Sequence, residues 1–98
     1  MGQEIVIKYY GPLRSVVGCR EEVMAVPDGT RVRQVLAALA EKYGPAFSES
    51  VSPAGASIDS SVIVALSGQD IEHLKGLETP VEGDAKLEII KVVPLIGG

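Results

Sequence analysis

A chain of 98 residues, 46% of them apolar, is long enough to build one core and too short for two, since a domain typically takes about 100 to 200 residues. Nine basic and 13 acidic residues leave a net charge of −4, which repels nucleic-acid phosphates and anionic headgroups, so neither nucleic acid nor a membrane is expected as a partner. One cysteine, Cys19, and one histidine, His73, cannot furnish a disulfide framework, a cysteine-rich zinc site or a two-histidine metal site, and the chain is expected to bind no cofactor or metal of its own.

The longest apolar run, Val35 to Ala40, has six residues against the roughly 18 or more of a membrane span. The start, Met-Gly-Gln-Glu, carries neither a basic n-region nor an apolar h-region, and the expected location is the cytoplasm. Four aromatics and no Trp make a thin platform for stacking bases.

Glu4 to Tyr10 alternates, with Ile5, Ile7 and Tyr9 on one face and Val6, Lys8 and Tyr10 on the other, and reads as a first strand. Gly11-Pro12 breaks it, and residues 13–17 have room for a turn of helix. A second strand is expected over Glu21 to Val26, closed by the turn signal Pro27-Asp28-Gly29. Thr30 is then the candidate N-cap of a helix whose apolar positions, Val32, Val35, Leu36, Leu39, Ala40 and Tyr43, recur at helical spacing until Gly44-Pro45 ends it. Residues 46–61, rich in serine, read as a surface insertion, in which Pro45 to Val51 can form a short second helix with Phe47 inward. Val62 to Leu66 is a continuous apolar run, the pattern of an interior strand buried on both faces. Gln69 to Ile71 is read as a short edge strand, residues 72–81 as an irregular connection, and Ala85 to Val93 as the last strand, with Leu87, Ile89 and Val93 on the core side.

A hairpin, a helix and further strands satisfy the crossover rules when the helix lies across one face of a mixed sheet and the last strand slots beside the first. The expected class is therefore α+β, a β-grasp arrangement of four to five strands with one main helix. It spans residues 1–93 as a single domain, followed by a tail at 94–98.

That tail reads Pro94-Leu95-Ile96-Gly97-Gly98. Two terminal glycines, lacking Cβ atoms, can thread an enzyme channel too narrow for any other residue. The group they present is a carboxylate, a poor electrophile until ATP converts it to an acyl-phosphate anhydride, so an activating partner must supply that step. Leu95 and Ile96 have little core left to enter and are candidates for burial against a partner, together with Pro94. Cys19 reads as an inert small hydrophobe and His73 as a solvated side chain. Glu21 and Glu22 read as a solvated face, with docking to a basic patch as the alternative.

The order of elements, Leu13-Arg14 after the first strand, the helix entry Pro27-Asp28-Gly29-Thr30, the segment Leu77-Glu78-Thr79-Pro80-Val81, the turn Gly83-Asp84 and the end Gly97-Gly98 together resemble the ubiquitin-like sulfur carriers of the MoaD and ThiS type. The resemblance covers nearly the whole chain, and by length it is closer to MoaD, the small subunit of molybdopterin synthase. It implies that Gly98, with Gly97 beside it, is the reacting terminus: adenylated by an E1-like adenylyltransferase using ATP, converted to a thiocarboxylate with a sulfur donor, and inserted into a MoaE-like large synthase subunit. There it would give sulfur to a pterin precursor in molybdenum cofactor biosynthesis. The chain would not be a catalyst alone. The alternatives are a ThiS-like carrier for thiazole synthesis, a modifier conjugated to lysines through the same glycine, and a β-grasp module that only docks.

Overall fold

Nine residues of alternating character, Gly2–Tyr10, form β1, whose side chains Ile5, Ile7 and Tyr9 are fully buried while Val6, Lys8 and Tyr10 lie half-buried on the opposite face. This computed structural model describes residues 2–52 and 57–92. Gly11 turns the chain at φ +72°, and a Cβ there would sit 2.5 Å from the Lys91 carbonyl oxygen. Both the left-handed backbone and the close approach demand glycine. A five-residue helix, α1 (Leu13–Val17), follows and buries Leu13. Then β2 (Glu21–Pro27) returns antiparallel to β1, in a register running from Gly2↔Pro27 to Lys8↔Glu21.

The main helix, α2 (Val32–Tyr43), buries Val32, Val35, Leu36 and Leu39, four of the six positions its periodicity singled out, while Ala40 and Tyr43 pack half-buried against the core. Its start corrects the sequence expectation. The N-cap is Arg31, in extended conformation, and the Gln34 side chain caps back by accepting from the Arg31 N–H at 2.8 Å. Thr30 instead closes the preceding turn, its hydroxyl donating to the Pro27 carbonyl at 2.6 Å. A threonine can satisfy either the turn behind it or the helix ahead, and here the turn takes the hydroxyl. Gly44 ends α2, and Pro45 opens α3 (Pro45–Val51), whose Phe47 and Val51 are both buried. The serine-rich stretch is therefore core-forming at its start: the short helix expected over Pro45 to Val51 is present with Phe47 inward, and Val51 joins it in the core.

The strand β3 (Val62–Leu66) lies between β5 (Lys86–Lys91) and the two-residue β4 (Gln69–Asp70), giving the order β2-β1-β5-β3-β4. β1 and β5 run parallel and all other pairs antiparallel. Two 3₁₀ turns, Ile71–His73 and Gly76–Glu78, fill what was expected as an irregular connection, so Ile71 caps the edge rather than extending it. The last strand starts one residue later than expected, and Val93 lies outside the described residues. This is the β-grasp fold: a mixed five-stranded sheet with its last strand beside its first and one main helix across one face. Among the described residues no helix is long and apolar enough to cross a membrane.

One correction matters for function. The run from Val62 to Leu66 is interior in the sheet but covered on one face only: Val62, Val64 and Leu66 are buried, and Ile63 between them is 41% exposed. The helices and the core lie on a single side, leaving the other face of the sheet open.

Candidate docking site at the root of the C-terminal tail

The strand registers determine what the open face displays. Tyr10 pairs with Ile90, and Ile90 with Ile63, so three apolar side chains from β1, β5 and β3 stand in one row across the sheet. Lys8, Glu88 and Ala65 form the next row down. Val92, two residues beyond Ile90 and 45% exposed, prolongs the apolar row past the end of β5, its N–H donating to the Ser61 carbonyl at 2.7 Å. The row thus lies at the end of β5 from which the chain continues to residues 93–98.

The edge of this row is held in place by polar contacts. Tyr10 donates its hydroxyl to Glu88 Oε2 at 2.6 Å, and that bond is the main reason its phenol titrates above the usual range. Arg14 donates from Nε to the Tyr9 carbonyl at 2.9 Å and rests its guanidinium over the Tyr10 ring, 5.4 Å from the centroid. The Leu13-Arg14 pair noted in the sequence therefore has two uses: Leu13 enters the core and Arg14 fixes the aromatic ring beside the tail root. The row, exposed at Ile63 and Val92 and half-buried at Tyr10 and Ile90, is the kind of apolar surface that a protein partner can cover.

A second polar cluster lies on the helix side. Glu22 accepts from Tyr9 at 2.5 Å, from Lys42 at 2.6 Å and from the Tyr43 hydroxyl. Burial alone would raise its carboxyl, but these three donors outweigh it and hold Glu22 below the ordinary carboxylate range. Tyr9 is driven upward, first by burial and then by its bond to Glu22. This corrects the reading of Glu21-Glu22 as one solvated face: Glu21 is exposed, whereas Glu22 ties β2 to β1 and to the end of α2. The cluster ties strand to strand and strand to helix, and its role is structural.

A groove of about 610 Å³ lies on the far side of β3, between residues 57–60 and the 3₁₀ turns. Of its lining charges Arg33 pairs with Glu78 at 2.6 Å and Asp59 with Lys91 at 3.6 Å, and its lining includes neither Cys19 nor His73. Cys19 is half-buried against the core, and His73 is exposed. Among the described residues no group of His, Cys, Asp and Glu could hold a metal.

A family model for the ThiS family matches residues 7–94. The chain belongs to the ThiS family. Among solved structures, this ThiS-family chain is similar to the HVO 2177 protein of Haloferax volcanii, at 24% identity and a TM-score of 0.81, over 99% of this chain and 88% of that one. It is similar to the small archaeal modifier protein 1 of Methanosarcina acetivorans, at 25% identity and a TM-score of 0.78, over 100% of this chain and 99% of that one. A Pyrococcus furiosus protein described as a candidate molybdopterin converting factor subunit 1 matches at 20% identity and a TM-score of 0.74, over 93% of this chain and 99% of that one. No curated protein sequence matches. The fold is thus the ubiquitin-like one that sulfur carriers and protein modifiers share.

The residues that sequence reasoning placed at the site, Gly97, Gly98, Pro94, Leu95 and Ile96, lie outside the described residues. It missed the apolar row of Tyr10, Ile63, Ile90 and Val92. The signal was present in part: the alternation of β1 sets Tyr10 on the face opposite Ile5, Ile7 and Tyr9. Ile63 was lost because a run of five apolar residues does not show which face the helices leave bare.

Proposed function

We propose that this chain is a sulfur carrier whose terminal carboxylate is the reacting group. The observation that carries this reading is the pair Gly97-Gly98 at the end of a chain that matches the ThiS family model through residue 94. The apolar row at the tail root supports it, because a substrate that is itself a protein must be gripped by a surface before its terminus can be presented. In the proposed sequence the Gly98 carboxylate attacks the α-phosphorus of ATP on an E1-like adenylyltransferase, releasing pyrophosphate. A hydrosulfide equivalent from a sulfur donor then forms the C–S bond as AMP leaves, giving the thiocarboxylate. A MoaE-like large subunit would receive the loaded tail and pass its sulfur to a pterin precursor, as a molybdopterin synthase does. The likeness to a structure described as a molybdopterin converting factor subunit supports that recipient.

The likeness to a small archaeal modifier favours a second reading, in which a lysine amine captures the same acyl-adenylate and an isopeptide bond forms. Both readings need the tail, whereas a module that merely docks does not. Deleting Gly97-Gly98 should abolish complementation of the carrier-dependent pathway while leaving binding to the activating enzyme measurable. Undiminished complementation would refute both covalent readings. A peptide search that recovers lysines bearing this chain's terminal sequence, with no thiocarboxylate in the same cells, would favour the modifier.

A further inference from the structure

Of the two edges of the sheet, β4 is two residues long and runs into a 3₁₀ turn, whereas β2 offers seven residues, Glu21–Pro27. The Tyr9 N–H donates to the Arg20 carbonyl at 2.9 Å. By the alternation of an antiparallel ladder, Arg20, Glu22, Met24 and Val26 therefore turn their main-chain groups to β1, and Glu21, Val23 and Ala25 turn theirs away from the sheet. Such an open ladder templates another strand, and proteins usually blunt it in mid-strand with lysine, proline or a bulge. Here the glutamates and Pro27 stand at the ends. The middle is Val23-Met24-Ala25, with Val23 61% exposed, the highest value for a large apolar residue among those described.

We propose that this edge pairs with the same edge of a second copy, β2 against β2, antiparallel about a two-fold axis at Val23. The sequence of the strand selects both partner and register. With the axis at Val23, Val23 faces its counterpart and Glu21 faces Ala25 of the other copy, each pair exchanging two N–H···O bonds, and Glu22 falls opposite Met24. Moving the axis to Glu22 sets two carboxylates directly against each other, which is destabilising. An axis at Met24 places Glu21 opposite Pro27, which has no N–H to give. On the open face, Val6 and Val23 of one copy run on into Val23 and Val6 of the other, covering the exposed valine. The row of Tyr10, Ile90 and Ile63 points away from the new seam, since β1 separates β5 and β3 from β2. The dimer consequently presents two tail roots, each free to dock.

A single strand pair buries less than the roughly 1,200 Å² of a stable interface, and each copy carries a charge of −4, so the dimer is weak, dependent on concentration and strengthened by salt. Sedimentation equilibrium of the full chain across protein and salt concentrations, with amide exchange in parallel, tests it. The expected result is a monomer–dimer equilibrium that tightens with salt, with the Val23 and Ala25 amides slowing as concentration rises. Val23→Lys and Ala25→Pro, both facing away from β1, should each raise the dissociation constant tenfold or more without changing the melting temperature by more than a few degrees. A monomer under every condition would overturn the proposal, as would a dimer that both variants leave intact. Protection of these amides only on adding an extended peptide of another sequence would assign the edge to a foreign strand and overturn it equally.

Discussion

Glu22 shows how a residue that looks solvated in sequence becomes a structural fixture. Its carboxylate accepts from Tyr9, Tyr43 and Lys42, and hydrogen bonds to a charged group contribute about 1.5 to 3 kcal/mol each when removal leaves the partner buried. Glu22→Gln keeps the shape and loses the charge, so it should cost about 1 to 3 kcal/mol in urea denaturation at neutral pH. The sign of the pH dependence follows from the lowered carboxyl. Its folded value lies below its ordinary 4.5, so the stabilisation is complete above that ordinary value and is lost as pH falls through the folded one. The gap between wild type and Glu22→Gln should be full at pH 7 and should close in strongly acidic buffer. A gap independent of pH would assign the cost to packing. Gly11 is the second residue with a sharp expectation: Gly11→Ala combines a left-handed backbone with a Cβ 2.5 Å from the Lys91 carbonyl oxygen, and should lower stability by more than about 1 kcal/mol in thermal melts.

At the scale of elements, β3 carries the functional expectation. Ile63 is exposed on the open face, so Ile63→Asp should fold and melt nearly as the wild type does. Placed in the row with Tyr10 and Ile90, the charge should raise at least tenfold the carrier concentration needed for half-maximal ATP–pyrophosphate exchange on the activating enzyme, leaving the maximal rate nearly unchanged. Equal half-saturation for the two proteins would remove the open face from the docking surface. The inner face of α2 was legible in sequence, because a period of 3.6 sustained over 12 residues needs no partner to declare it, although Ala40 and Tyr43 at its end are only half-buried. The outer face of β3 was not, because five apolar residues in a row look alike whether one or both sides are covered. The inward turn of Phe47 was legible, but the burial of Val51 was not, since it joins the core at the end of a short helix in a serine-rich neighbourhood.

For the molecule as a whole, periodicity and turn signals gave the order of the strands and the main helix, and connection rules then placed the last strand beside the first. What those rules do not contain is register, and register is what brings Tyr10, Ile90 and Ile63 into one row at the tail root. The terminal glycines, by contrast, lie outside the described residues, and their proposed role rests on the sequence alone. Gly98→Ala should therefore slow adenylation at saturation while leaving docking and folding unchanged, because a methyl group beside the reacting carbon disturbs its approach geometry. The most direct test is intact-mass analysis of the chain purified after co-expression with its activating enzyme and sulfur donor. A sulfur carrier should show a species in which one terminal carboxylate oxygen is replaced by sulfur, absent in the chain lacking Gly97-Gly98. Only unmodified carboxylate, from an enzyme that demonstrably forms the adenylate, would contradict it.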